Sequence, residues 1–360
     1  MSKILIITNH SYMLYRFRLE LIRELMKHHE VVLSMPFVGH EEDFQALGLR
    51  CIDTPVDRRG INPKTDLKLF CKYRKLLKQE KPDLVITYSI KPNIYAGIAC
   101  TMAKIPFCAN VQGLGTAFQR KGVAWIATLL YKAAFRKVRT VFFENVGNAE
   151  EFCERTGVPS DRCTILSGAG INLEKYPCQA YPANPIPRFL YLGRIMKEKG
   201  MDELFAATER LHSEGEHFIL DMVGFFEDGY KDQVEELQRL GILQFHGFQQ
   251  EPRPFYGAAD CVVLPSYHEG MSNVLLEGAA IGRPVITSRI HGCMEAVVEG
   301  ESGYLCEVKN ADSLYEAMKC ILRTSPSERA AMGLRGRRHM EENFEKGKVV
   351  QETIKNLNIC

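Results

Sequence analysis

Two successive series of short apolar runs constrain this chain more than any other feature. The first falls at 4–7, 31–35, 83–87, 106–111, 140–144 and 164–166, with helical stretches between several of the runs. The segment 176–187 then carries four prolines and reads as a linker. A second series follows at 189–192, 218–223, 243–246, 261–264, 285–287 and 304–306. Apolar runs this short, alternating with helical periodicity, are buried parallel strands joined by crossover helices. The pattern predicts an α/β chain with two Rossmann-like, doubly wound parallel sheets facing across a cleft. The expected division is residues 1–180, residues 181–340, and a terminal helix at 341–360. A chain of 360 residues is long for one core and comfortable for two. Ligands of such sheets bind at the carboxyl ends of the strands.

One of those ends is unusually informative. From Asp260 to Gly292 the chain reads DCVVLPSYHEGMSNVLLEGAAIGRPVITSRIHG. The strand-like run breaks at Pro265, passes through a loop with Glu269 and Gly270, and restarts as a helix near Ser272. Glu277 follows eight residues after Glu269. Between the two acids lie the unpaired amides of a helix start, which favour phosphate by hydrogen bonding and by dipole. Two acids around an anion-binding helix end suit a sugar nucleotide, one acid on a sugar hydroxyl and one on the ribose diol. Two glutamates eight apart are, in general, more often solvated surface acids.

The surrounding letters decide between these. Pro265, Ser266, Glu269, Gly270, Glu277, Gly282, Pro284 and Val285 resemble the donor-binding signature of the retaining glycosyltransferases of family 4, which have the two-domain GT-B architecture. The resemblance extends to FLYLGRIMKEKG, where Gly193 turns the chain and Arg194 and Lys199 match diphosphate-binding cations. It implies that Glu269, Arg194 and Lys199 serve catalysis. It also implies a donor site of Gly193, Arg194, Lys199, Gly224, Phe248, Glu269, Gly270, Met271, Ser272, Asn273 and Glu277, with Phe248 near the nucleobase. The donor would be a UDP-sugar, and anomeric configuration would be retained. No cofactor or metal is expected: the chain holds no Asp-x-Asp pair, and side-chain cations would neutralise the diphosphate.

The first half resembles one branch of that family, the enzymes of capsule, exopolysaccharide and polyprenyl-diphosphate-linked glycan synthesis. Phe17 and Arg18 begin its first helix, and ITYSIKPNIYAG and NVQGLGTAF contain Lys91, Pro92, Asn93, Gly113, Leu114 and Gly115 in the expected places. Arg18, Lys91, Asn93, Gly113 and Gly115 are accordingly expected at a lipid-linked saccharide acceptor. No glycine occurs from Met1 to Val38, which removes the fingerprint of a dinucleotide oxidoreductase at the first strand. Other readings are a transferase acting on a soluble or phospholipid acceptor, and a sugar-nucleotide binder without turnover.

Charge separates the halves. Residues 1–180 hold 26 Lys/Arg against 17 Asp/Glu, whereas residues 181–360 hold 20 against 27. The stretch 84–143 has eight basic residues and no acid. An anionic partner for the first half follows. Nucleic acid is disfavoured, since the chain has no recognisable binding module. An anionic membrane surface remains, with 119–140 as the contact. There Val123, Ile126, Leu129, Leu130 and Ala133 or Ala134 make an apolar helical face near Trp125, flanked by Arg120, Lys121, Lys132, Arg136, Lys137 and Arg139. No apolar run approaches the length of a spanning helix. Twelve cysteines without a C-x-x-C pair, and no export signal before the first strand, suggest a reducing cytosol. The expected location is the cytoplasm, peripheral on the inner membrane face.

Overall fold

The computed structural model describes residues 1–58, 60, 62–113 and 121–359, with the side chains of 121–123 outside that set. It divides into two compact units, Met1–Gly170 with Lys346–Cys360, and Ile171–Glu345.

The first unit is a seven-stranded parallel sheet of order β3-β2-β1-β4-β5-β6-β7. Its strands are β1 (Lys3–Ile7), β2 (Glu30–Met35), β3 (Arg50–Asp53), β4 (Leu84–Tyr88), β5 (Phe107–Val111), β6 (Thr140–Phe143) and β7 (Cys163–Ile165). The order reverses between β1 and β4, where Ile4 pairs with Val31 on one side and Leu84 on the other. Alternation sends successive residues to opposite faces. Leu5, Ile7 and Val85 pack under helices Pro63–Glu80, Gly97–Ala103, Lys121–Ala134 and Val146–Thr156. Ile4, Ile6 and Leu33 pack under helices Ser11–Phe17, Leu19–Met26 and Lys346–Leu357.

The second unit is a six-stranded parallel sheet of order β10-β9-β8-β11-β12-β13. It contains β8 (Arg188–Leu192), β9 (Ile219–Val223), β10 (Leu243–Phe245), β11 (Cys261–Leu264), β12 (Val285–Ser288) and β13 (Gly303–Cys306). Its order reverses between β8 and β11, and a crevice at such a point is where doubly wound sheets hold ligands. Both sheets are thus of the expected class, and β3 is the strand the apolar runs did not reveal.

The boundaries differ from the expected ones. The proline-rich segment is no tether: Tyr176 is buried in the second core, and the Gln179 amide donates to Ile281 O at 3.0 Å. The buried Arg283 guanidinium donates to the carbonyls of Gln179, Ala180, Tyr256, Gly257 and Gly282. Proline lacks a donor but keeps its carbonyl, so such a segment can dock through acceptors. The return to the first unit begins at Lys346, because helix Pro326–Asn343 belongs to the second unit. There Arg139 donates to Asn358 O at 2.9 Å and Thr140 to Asn356 O at 2.9 Å.

Candidate functional site

At the carboxyl edge of the second sheet, the loops after β8, β9, β11 and β12 are tied to one another. Gly193 donates to Val223 O at 2.9 Å, and Ser272 to Gly292 O at 2.8 Å. Two close approaches require glycine. A Cβ on Gly224 (φ 155°) would lie 1.8 Å from Gly193 O, and one on Gly200 (φ 74°) would lie 2.1 Å from Pro265 O. The second approach sets Lys199, at the end of the turn Lys197–Lys199, over the loop that carries Glu269.

Lys199 Nζ donates to Glu269 Oε1, which also accepts from Ser266 Oγ at 2.8 Å. Both side chains of the ion pair are largely shielded from solvent. The charge on Glu269 is felt nearby. Burial, and then this carboxylate, push the Tyr191 phenol and the Cys293 thiol well up, so both stay neutral. Tyr191 donates to Arg194 O at 2.5 Å and so fixes the Arg194 backbone. The Arg194 side chain points elsewhere: its guanidinium donates to Glu227 at 2.7 Å and is 45% exposed. The two expected diphosphate cations therefore have different acid partners, and Glu227 carries no signal in the family signature that would have marked it.

The helix after this loop spans Asn273–Ile281. Leu275 and Leu276 donate its first helical bonds, both to Ser272 O. The amides of Asn273 and Val274 lie ahead of those bonds, whereas the Ser272 amide is taken by Gly292 O. Val274 thus replaces Ser272 as an amide donor at the helix start. Met271 and Ser272 are buried, and Gly270 is half-buried. Glu277, two turns in, is only 3% exposed and accepts from the buried Tyr256 hydroxyl at 2.9 Å. Phe248 is 61% exposed after β10 and forms an edge-on pair with exposed Phe225 after β9, with centroids 6.3 Å apart. Phe225 escaped the sequence reading because it lies outside the motif that marked Phe248's loop.

In the first unit the expected acceptor residues turn inward. Arg18 is buried, donates to Glu144 Oε1 at 2.7 Å and lies 5.5 Å from the Tyr88 ring centroid. Burial raises the Glu144 carboxyl against the opposing pull of that guanidinium. Lys91 donates to Asp66 at 2.6 Å, and Asn93 is buried with its amide on Asn110 O at 2.8 Å. These groups brace the carboxyl ends of β4, β5 and β6. Gly113 is half-buried just beyond β5, and Leu114 and Gly115 lie outside the described residues. Solvent-reachable chemistry at this edge comes from other, half-buried neighbours. Tyr15 stacks on His40 at 4.1 Å, Arg16 donates to the Tyr12 hydroxyl at 2.6 Å, and Phe37 and Val38 are exposed.

Helix Lys121–Ala134 turns part of its expected apolar face outward and part of it, Leu130 and Ala134, inward. Its core face is Ala124, Ala127, Tyr131 and Ala134, while Trp125, Ile126 and Leu129 are exposed. Small residues allow the close seat, since Ala134 abuts Gly97, where a Cβ would lie 3.3 Å from the Ala134 methyl. Arg120, and the side chains of Lys121 and Val123, lie outside the described residues. Among the described residues no cluster of three or more His, Cys, Asp or Glu could hold a metal ion, and no helix is long and apolar enough to cross a membrane.

Residues 186–324 match the family described as Glycosyl transferases group 1, and residues 3–145 match Glycosyl transferase 4-like. The chain belongs to the GT-B glycosyltransferases. The enzyme is 28% identical over 328 residues, 86% of each chain, to N,N'-diacetylbacillosaminyl-diphospho-undecaprenol alpha-1,3-N-acetylgalactosaminyltransferase of Campylobacter jejuni. It is 25% identical to the capsular polysaccharide biosynthesis glycosyltransferase CapM of Staphylococcus aureus, over 83% of this chain and 82% of that one. An Escherichia coli UDP-Gal:alpha-D-GlcNAc-diphosphoundecaprenol alpha-1,3-galactosyltransferase is 28% identical, over 78% and 76%. Anabaena HepE in complex with UDP and glucose shares the fold of the enzyme, with TM-score 0.81, 17% identity and 99% coverage of both chains. The expected fold and transferase class are borne out.

Proposed function

We propose that the enzyme transfers a hexosyl or N-acetylhexosaminyl residue from a UDP-sugar to a polyprenyl-diphosphate-linked saccharide, with retention at the anomeric carbon. The observation that carries this reading is the Lys199–Glu269 pair set beside the start of helix Asn273–Ile281. The barrier lies in breaking the anomeric C–O bond, as positive charge grows on the sugar and negative charge on the departing diphosphate. Lys199, Arg194 and the amides of Asn273 and Val274 stabilise that diphosphate. Arg194 would exchange Glu227 for phosphate. Gly193 and Gly224 keep the loops close enough for the donor to meet backbone, and Glu277 takes the ribose diol. Phe248, with Phe225, offers an aromatic surface to the base. Glu269, held on one oxygen by Lys199 and Ser266, binds a sugar hydroxyl. That pairing lowers its nucleophilicity, which supports front-face attack with the leaving phosphate accepting the acceptor proton over a double displacement.

The names of the undecaprenol-linked relatives support the acceptor class. In the first unit we assign acceptor contact to Gly113 and to the half-buried Tyr12, Arg16 and His40 cluster. Arg18 and Asn93 hold the strand ends beneath them, and Lys91 does so through Asp66. A nucleotide-sugar donor and a lipid-linked acceptor place the reaction on the cytoplasmic membrane face. The test is incubation with a panel of sugar nucleotides and lipid-diphosphate saccharides, with the product identified by mass and by anomeric coupling. An α-linked product from an α-linked UDP-sugar is expected. Inverted product, or no turnover with any lipid-diphosphate acceptor, would overturn the reading.

A further inference from the structure

The basic excess of the first half is concentrated in one helical layer. Residues 63–139 hold 15 Lys/Arg against three acids, Asp66, Glu80 and Asp83. All three acids are engaged: Asp66 with Lys91, Glu80 with Lys3 and Arg50, and Asp83 with the Lys3 amide. The outer face of helix Pro63–Glu80 shows Lys64, Lys68, Lys72, Arg74, Lys75 and Lys78, all exposed. Beside it on the same side of the sheet are exposed Met102 and the exposed Trp125, Ile126 and Leu129 of helix Lys121–Ala134. Exposed Lys132, Arg136 and Lys137 follow these three. A groove of about 520 Å³, lined by Arg74, Leu77, Lys78, Lys81, Met102 and Ile105 among others, runs between the ends of helices Pro63–Glu80 and Gly97–Ala103. The next helix on this face, Val146–Thr156, exposes Glu150, Glu151 and Glu154 and bounds the patch.

We infer that this three-helix layer is the face on which the enzyme docks on an anionic phospholipid bilayer, an inference that rests on the lipid-linked acceptor proposed above. Lysines and arginines meet the lipid phosphates, Trp125, Ile126 and Leu129 enter the headgroup–acyl boundary, and the groove receives one lipid headgroup with its first methylenes. Cations alone would suit nucleic acid equally well. Bulky apolar side chains exposed among them add what a bilayer offers and a phosphodiester backbone does not. Docking of this kind is reversible and weakens with salt.

Trp125 is the single tryptophan of the chain, so its fluorescence reports this face alone. Intact enzyme would be titrated with vesicles of phosphatidylcholine, with and without one-third phosphatidylglycerol, and with brominated acyl chains. The expected result is a blue shift and bromine quenching with the anionic vesicles only, reversed by high salt. The triple variant Lys68→Glu, Lys72→Glu, Lys75→Glu should partition at least about a hundredfold more weakly, at roughly fivefold per cation removed. Its turnover on a detergent-dispersed acceptor should remain that of the wild type. Unshifted Trp125 emission, equal binding to neutral vesicles, or wild-type partitioning by the triple variant would overturn the inference. So would tight binding of duplex DNA or RNA without vesicle binding. Vesicle binding without turnover on any lipid-diphosphate acceptor would instead count against the proposed activity.

Discussion

Lys199 and Glu269 show how far a residue's neighbours determine its use. A lysine in a loop is ordinarily a solvated charge, but Gly200 seats this one against the Pro265 backbone and onto a shielded carboxylate. Lys199→Ala should lower kcat by about 10²–10³, the usual effect of removing one transition-state donor, while leaving UDP affinity within a few-fold; single-turnover kinetics and calorimetric titration separate the two. Tyr256→Phe should raise KM for the donor about fivefold with kcat unchanged, because it frees Glu277 from one hydrogen bond worth about 1 kcal/mol. Arg18→Leu should cost about 3–5 kcal/mol in urea unfolding, since it leaves Glu144 buried without its cation. If Arg18 instead served only the acceptor, stability would not change. The histidines add a pH signature. Burial lowers the pKa of His10, with Arg58 adding to it, and burial also lowers that of His29. The unfolded chain then binds more protons, so their stabilisation is complete above about 6.5 and is lost as pH falls through the depressed folded values. Urea midpoints should decline below pH 6.5, and less so in His10→Asn/His29→Asn.

Elements were legible where burial was two-sided. The central strands are continuous apolar runs because helices cover both faces, and such runs stand out in sequence. Strand β3 did not, since RCID sits at the sheet edge with charged, exposed ends. The loop with Glu269 and the helix Asn273–Ile281 after it were legible because their letters follow the family signature. Helix Lys121–Ala134 was legible on its bulky apolar face, of which Trp125, Ile126 and Leu129 are exposed, but not on its core face, which small residues and Tyr131 form. The core here accepts methyls, not isobutyls, against Gly97 and helix Gly97–Ala103. Ala127→Leu should therefore destabilise by about 1–3 kcal/mol through overpacking, whereas Leu129→Ala should change thermal unfolding little. The reverse ranking would mean that the bulky residues are the packed ones.

At the scale of the whole molecule, the chain divides its chemistry between its two units. The second carries the edge proposed to hold the diphosphate and the acidic excess; the first carries the basic layer and the half-buried aromatic cluster. Family signature and charge division were both readable from the sequence, whereas the partners of the expected acceptor residues were not. Arg18, Lys91 and Asn93 occupy recognisable positions, but their side chains are spent on Glu144, Asp66 and Asn110. A motif marks a position without saying which way its side chain turns. The central claim concerns where the leaving diphosphate is held, and a crystal structure with bound UDP tests it most directly. The diphosphate should lie within hydrogen-bonding distance of Lys199 Nζ and of the Asn273 and Val274 amides, with Arg194 swung off Glu227 onto phosphate. UDP found away from this edge, with Lys199 still on Glu269 and the helix start empty, would contradict the account.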